Sequence, residues 1–157
     1  MRKAVTTLAA LTLVAAVAVP AAFAERPVRE PLPAEDFTLP ASICGFELQV
    51  EVLTNKEYIL LFSDGRATVT GALSVRLTNL DDPTQSMVVN IPGPGFFDAE
   101  GGLTAVGPWF FFFLPGELGE GSPGMAVLTF GRARFDETGF HLLAGRQVDL
   151  CEALAST

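Results

Sequence analysis

Pro108-Trp109-Phe110-Phe111-Phe112-Phe113-Leu114-Pro115-Gly116 constrains the fold of this 157-residue chain more than any other stretch. Six consecutive large apolar residues stand between prolines. That is too few for a membrane-spanning helix, which needs about 20. A short apolar run fenced by Pro and Gly reads as a strand covered on both faces. Alternation puts Trp109, Phe111 and Phe113 on one side and Phe110, Phe112 and Leu114 on the other. Full burial of a large apolar side chain stabilises by about 1.5 to 3 kcal/mol, so both rows are expected to find cover.

The chain begins with basic Met1-Arg2-Lys3, an Ala/Val/Leu run from Ala4 to Val19, and the small-x-small pattern Ala22-Phe23-Ala24. Residues 1–24 therefore read as a secretory signal peptide, cleaved after Ala24. A retained membrane anchor is the weaker reading, because the run is short and broken by Pro20. With no cysteine at the cleavage site and no arginine pair ahead of the run, the general secretory route to an extracellular location is expected. The 133 residues that remain suffice for one domain. They hold all 18 acidic residues and eight of the ten basic ones, a net charge of −10. Such acidity argues against nucleic acid and against docking on anionic lipid. Its plainest role is solubility.

Cys44 and Cys151 are the only cysteines. In an exported chain they are expected to form a disulfide that ties the two ends of the fold together. A metal site built from them and the single histidine, His141, would lack a fourth good ligand and the usual close cysteine spacing. No metal or cofactor is expected.

Residues 25–42 carry four prolines among charges and read as an extended tether, with Phe37 and Leu39 as the first side chains able to dock. Residues 43–157 form the domain. Phe46, Leu48, Val50 and Val52 alternate with polar residues, as in a half-buried strand. Tyr58 to Phe62 is a second strand, and Asp64-Gly65 suits a two-residue hairpin turn. Arg66 to Leu80 alternates throughout and is long enough, with Gly71 inside, to be a bent strand that turns a corner. Met87 to Ile91 follows, then the interruption Pro92-Gly93-Pro94-Gly95 and a short hairpin from Phe96 to Val106. After the aromatic strand and a glycine-rich loop (115–124), Met125 to Phe135 and Phe140 to Leu150 make a last hairpin across Asp136-Glu137-Thr138-Gly139.

Seven or eight strands joined by short turns imply an antiparallel meander. In an up-and-down barrel its two ends share a rim only if the strand number is even, so a bridge between Cys44 and Cys151 favours eight. The expected fold is all-β, an antiparallel closed barrel of about eight strands. A two-sheet β-sandwich is the alternative.

Chemistry-bearing residues are sparse. Ser122, in Gly119-Glu120-Gly121-Ser122-Pro123-Gly124, departs from a nucleophile elbow because position 120 is Glu. The acidic pairs Asp81 with Asp82 and Asp98 with Glu100 fall in turns, where solvated carboxylates are ordinary. No catalytic residue is assigned. Tyr58, Trp109 and Arg146 are the candidates to line an apolar ligand cavity, although aromatic side chains also fill cores and Arg146 can reach water along its own stem.

Ile43-Cys44-Gly45-Phe46, Asn55-Lys56-Glu57-Tyr58, Thr70-Gly71-Ala72, Arg76-Leu77-Thr78-Asn79-Leu80, Gly93-Pro94-Gly95-Phe96-Phe97, Gly107-Pro108-Trp109 and Leu150-Cys151 together resemble small secreted proteins of actinobacteria with no assigned function. The resemblance spans nearly the whole mature chain. It implies export, paired cysteines and a compact β domain, and it carries no catalytic residue.

The leading functional expectation is a secreted, non-enzymatic domain that binds a small apolar ligand or a component of the cell envelope, with no membrane span after processing. One alternative is a cyclase or isomerase of the kind hosted by eight-stranded barrels, which rests on analogy of fold. Another is a structural protein that associates with copies of itself through an exposed aromatic face. An interior void lined by Tyr58, Trp109 or Arg146 would favour a ligand, and a converging polar pair inside it would favour an enzyme.

Overall fold

Strand follows strand from Val28 to Asp149, with a single helical turn near each end. The structure, a computed structural model, describes residues 25–155; the expected signal peptide lies outside the described residues. In chain order the elements are β1 (Val28–Pro31), β2 (Phe37–Leu39), α1 (Ala41–Cys44), β3 (Leu48–Asn55), β4 (Tyr58–Leu61), β5 (Ala67–Thr70) and β6 (Leu73–Asn79). They continue with β7 (Ser86–Ile91), β8 (Gly95–Phe97), β9 (Leu103–Phe113), β10 (Met125–Asp136), β11 (Gly139–Asp149) and α2 (Leu150–Ala153). Two antiparallel sheets result, one of seven strands in the order β1-β4-β5-β8-β9-β10-β11 and one of four in the order β2-β3-β6-β7.

Neither sheet closes on itself, so the fold is sandwich-like and the expected closed barrel is wrong. The reason lies in how the strands bend. β3 and β4, expected as separate strands, are two halves of one traverse that crosses from the small sheet to the large one. Lys56 N donates to Ala72 O at 2.8 Å within the bend, so the ladder with β5 and β6 runs on around it. β5 and β6 are likewise the two halves of the long strand, bent at Gly71, and the corner expected there is a corner between sheets. β7 and β8 are halves of a third traverse, interrupted where Pro92 and Pro94 cannot donate to a ladder. Between Cys44 and Cys151 the chain therefore makes six traverses: β3/β4, β5/β6, β7/β8, β9, β10 and β11. Six is even, so the cysteines meet without any barrel closing.

The disulfide joins α1 to α2, with the Cα atoms 4.8 Å apart across 107 residues of sequence. Asp149 caps α2 by accepting from the backbone N–H groups of Cys151 and Glu152, at 2.8 and 3.1 Å. The proline-rich segment before α1, expected as an extended tether, supplies one edge strand to each sheet: β1 pairs with β4 and β2 with β3. At Asp64-Gly65 the turn has three residues, since Phe62 N bonds Arg66 O and only Gly65 takes a positive φ (86°). Asp64 keeps an ordinary backbone and its carboxylate accepts from Arg66 N and Nε.

Two apolar cores form among the described residues. The larger packs Leu48, Val50, Val75, Leu77, Val89 and Ile91 of the small sheet against Ala126 and Leu128 of β10, with Ile43, Leu150 and Leu154 as a plug at one end. Buried Asn79 holds that plug by donating to Leu154 O at 2.9 Å. The smaller core gathers Ala105, Phe111, Phe113, Val127 and Ala133, with Phe135, Phe140 and Leu118 against them. It exists because β9, β10 and β11 crease together at Gly107, Gly131 and Gly145. These three glycines face one another in the ladders, all with positive φ. A Cβ on Gly131 would overlap the Ala144 carbonyl, and one on Gly145 the Phe130 carbonyl. Only glycine permits this crease, which folds the far half of the three strands back over Phe111 and Phe113.

The aromatic strand is thus covered unequally. Phe111 and Phe113 are buried in the small core, where the Phe113 ring lies 5.2 Å from Phe135 and 5.6 Å from Phe140. Phe110 packs against the large core, but Phe112 and Leu114 are each 41% exposed, and Phe112 leans on Phe37 at 5.6 Å. Trp109 touches both cores. Its ring lies over Gly93 and Gly95, where any side chain would collide with it, and its indole N–H donates to Gly93 O at 2.8 Å.

Candidate functional site

At one rim the β8–β9 turn (98–102), the β10–β11 turn (136–139) and the loop after β9 stand side by side. Two clefts open between them. The first, of about 510 Å³, is lined by Asp98, Glu100, Gly102, Arg134, Phe135 and Asp136, among others; the second, of about 470 Å³, lies between Gly116–Gly119 and Phe135–Gly139. They share Phe135 to Thr138, so the β10–β11 turn is a tongue between two grooves with the small aromatic core beneath it.

Arg134 organises the first cleft. Its Nη2 donates to Asp98 Oδ2 at 3.0 Å, its Nε to Asp136 Oδ2 and its Nη1 to Thr104 Oγ1 at 3.3 Å. Local backbone fixes both carboxylates from behind. Gly102 N donates to Asp98 Oδ1, and Thr138 donates to Asp136 Oδ1 through its N–H (2.9 Å) and its hydroxyl. Hydrogen bonds to an ionised carboxylate favour that form. The Thr138 hydroxyl, then Arg134, pull Asp136 from 3.8 to about 2. The Gly102 N–H, then Arg134, hold Asp98 below its usual range, and the two carboxylates raise Arg134 further. The guanidinium carries five N–H groups, and the three bonds leave two of them for a ligand.

This arrangement has a signature in acid. A carboxyl whose folded value lies below its unfolded one contributes stability above the unfolded value, and that stability is lost as the pH falls through the folded one. For Asp136 the window runs from about pH 4 down to about pH 2. Thermal melts should show the wild type above Asp136→Asn near pH 5, with the gap closing as pH 2 is approached. A gap that does not change across this range would refute the assignment.

The residues expected to line a ligand cavity are not brought together. Tyr58 lies under the Arg29 guanidinium, 3.6 Å from its ring centroid. Trp109 is the bridge between the cores described above. Arg146 is exposed on β11 and stacks on Phe130 at 4.3 Å. None of the three lines either cleft. His141 Nε2 sits 2.9 Å from Thr138 Oγ1, while Ser122 Oγ is buried without a hydrogen-bond partner, so these two do not form a catalytic pair. Of the acidic turn pairs, Asp98 and Glu100 do reach a cleft; Asp81 and Asp82 instead cap Asn79 Oδ1 through their N–H groups. Among the described residues no group of three or more His, Cys, Asp or Glu is placed to hold a metal ion, and no helix is long and apolar enough to cross a membrane.

Arg134 is the residue that sequence reasoning missed, and a signal for it exists. Arg134 and Asp136 are two apart on one strand, opposite in charge and on the face opposed to Ala133 and Phe135. Its second partner, Asp98, is 36 residues away and could not be read from spacing.

Fold and rim together define a disulfide-tied antiparallel β-sandwich with a polar cleft between its hairpin turns. No family model matches the chain, and neither a curated protein nor a solved structure matches it.

Proposed function

We propose that the protein is an exported, non-enzymatic β-sandwich module that binds a polyhydroxylated component of the cell envelope, a neutral glycan, at the Arg134 cleft. The carrying observation is one fixed guanidinium between two fixed carboxylates in a groove of about 510 Å³. That volume falls in the usual range for small-ligand sites. Sugar hydroxyls donate to the carboxylates and accept from the remaining Arg134 N–H groups. Asp98, Glu100, Asp136 and Glu137 outnumber Arg134 in the lining, which disfavours an anionic ligand. Export is supported by the leader-like first 24 residues and by the disulfide between Cys44 and Cys151.

An apolar ligand held inside the domain has less support, because Leu48, Val50, Val75, Leu77 and Leu128 occupy the space between the layers. The barrel-type enzyme loses its premise with the barrel. Calorimetric titration with neutral oligosaccharides released from the envelope tests the proposal. Binding by the wild type and its loss in Glu100→Gln/Glu137→Gln is the expected result. No binding by the wild type, or equal binding by the variant, would overturn it.

A further inference from the structure

The two outer edges of the seven-stranded sheet are built differently. One is β1, with Pro31 in the strand and Pro27 and Pro33 flanking it, and prolines blunt an edge against pairing. The other is β11, eleven residues long, with every residue from His141 to Gln147 exposed and Leu143 reaching 52%. β11 has no proline, and in a chain of net charge −8 it has no acidic residue from Gly139 to Val148. Long unpaired edges of this kind are templates for another strand.

The crease decides which strand fits. Gly131 and Gly145 face each other so closely that neither position has room for a Cβ. Each creased strand takes a positive φ at its glycine, Gly107 included although a Cβ there would have room, so a strand added outside β11 along its full length is best served at that level by a glycine. β11 itself meets that condition. The geometry points to a symmetric dimer in which the β11 strands of two copies pair antiparallel about a two-fold axis at Gly145. That register sets Gly145 against Gly145, Leu142 against Val148, Leu143 against Gln147 and His141 against Asp149. It sets apolar Leu142 against apolar Val148 and the His141 imidazole against the Asp149 carboxylate, both favourable cross-strand pairs, while Leu143 meets the polar Gln147. An isologous contact of this type is closed and does not propagate into fibres.

Sedimentation equilibrium on the full mature chain reads the outcome. The wild type should sediment at twice the chain mass. Leu143→Lys, at an exposed position outside both cores, should sediment as a monomer with an unchanged melting curve in dilute solution. His141→Asp, which puts like charges opposite each other in this register, should weaken the dimer, whereas His141→Lys should keep it. A wild type that stays monomeric at hundreds of micromolar, or a dimer indifferent to both Leu143→Lys and His141→Asp, would overturn the inference.

Discussion

Replacing Cys44 and Cys151 together by alanine should lower the stability of the domain by about 3 to 5 kcal/mol, the range expected for a bridge that closes a loop of about 100 residues. For a domain of this size that corresponds to a fall in Tm of about 10 to 20 °C. The fold itself should survive, since the plug keeps other attachments. Leu150 and Leu154 are buried in the large core, Asn79 still donates to Leu154 O, and Asp149 still caps α2. Most of the loss should come from the freed unfolded chain, which regains the loop entropy that the 107-residue link removes. Chemical denaturation of the variant and of the reduced wild type checks this. Equal melts with and without the bridge would show that the ends are held by packing alone.

Gly145→Ala should cost about as much through an entirely different cause. At φ 98° an alanine pays backbone strain of about 1 to 3 kcal/mol. Its methyl would also overlap the Phe130 carbonyl and the Gly131 backbone, and forced overlap of this kind costs about 1 to 3 kcal/mol more. A total of about 2 to 6 kcal/mol is expected. Gly139→Ala separates the two contributions, because φ there is 107° but nothing lies within 4 Å of the added methyl. It should lose only about 1 to 2 kcal/mol. Comparable losses in the two variants, measured by urea unfolding, would mean that the crease is not sterically determined.

The aromatic strand shows what could be read from sequence. Its alternation was legible, and Phe111 and Phe113 do share a buried face. That Phe112 and Leu114 would remain largely exposed was not, because their cover depends on where β2 runs, which is a long-range matter. The bent traverse through Gly71 was legible from strand length. Whether such bends close a barrel or divide two sheets was not, since it depends on the prolines at 92 and 94 breaking a ladder between neighbours distant in sequence. The cysteine pair was legible from residue type and expected export. The parity argument built on it counted eight strands for six traverses, because the polar Asn55-Lys56-Glu57 bend makes β3 and β4 look like two strands and the Pro92–Gly95 interruption does the same for β7 and β8. Within the cleft, Arg134 with Asp136 carries a local signature; Asp98 arrives only through the pairing of β8 with β9.

The glycine row has a further consequence for how the strands find one another. Alternation of apolar and polar residues penalises a pairing error of one residue, which turns a strand inside out. It is nearly blind to an error of two, which restores every side chain to its proper face. Gly107, Gly131 and Gly145 remove that blindness, because a shift of two would set a residue with a side chain at the crease, where the backbone takes a positive φ and, at Gly131 and Gly145, no Cβ fits. In the β9–β10–β11 ladder, the side-chain pattern checks the odd slips and the glycines check the even ones.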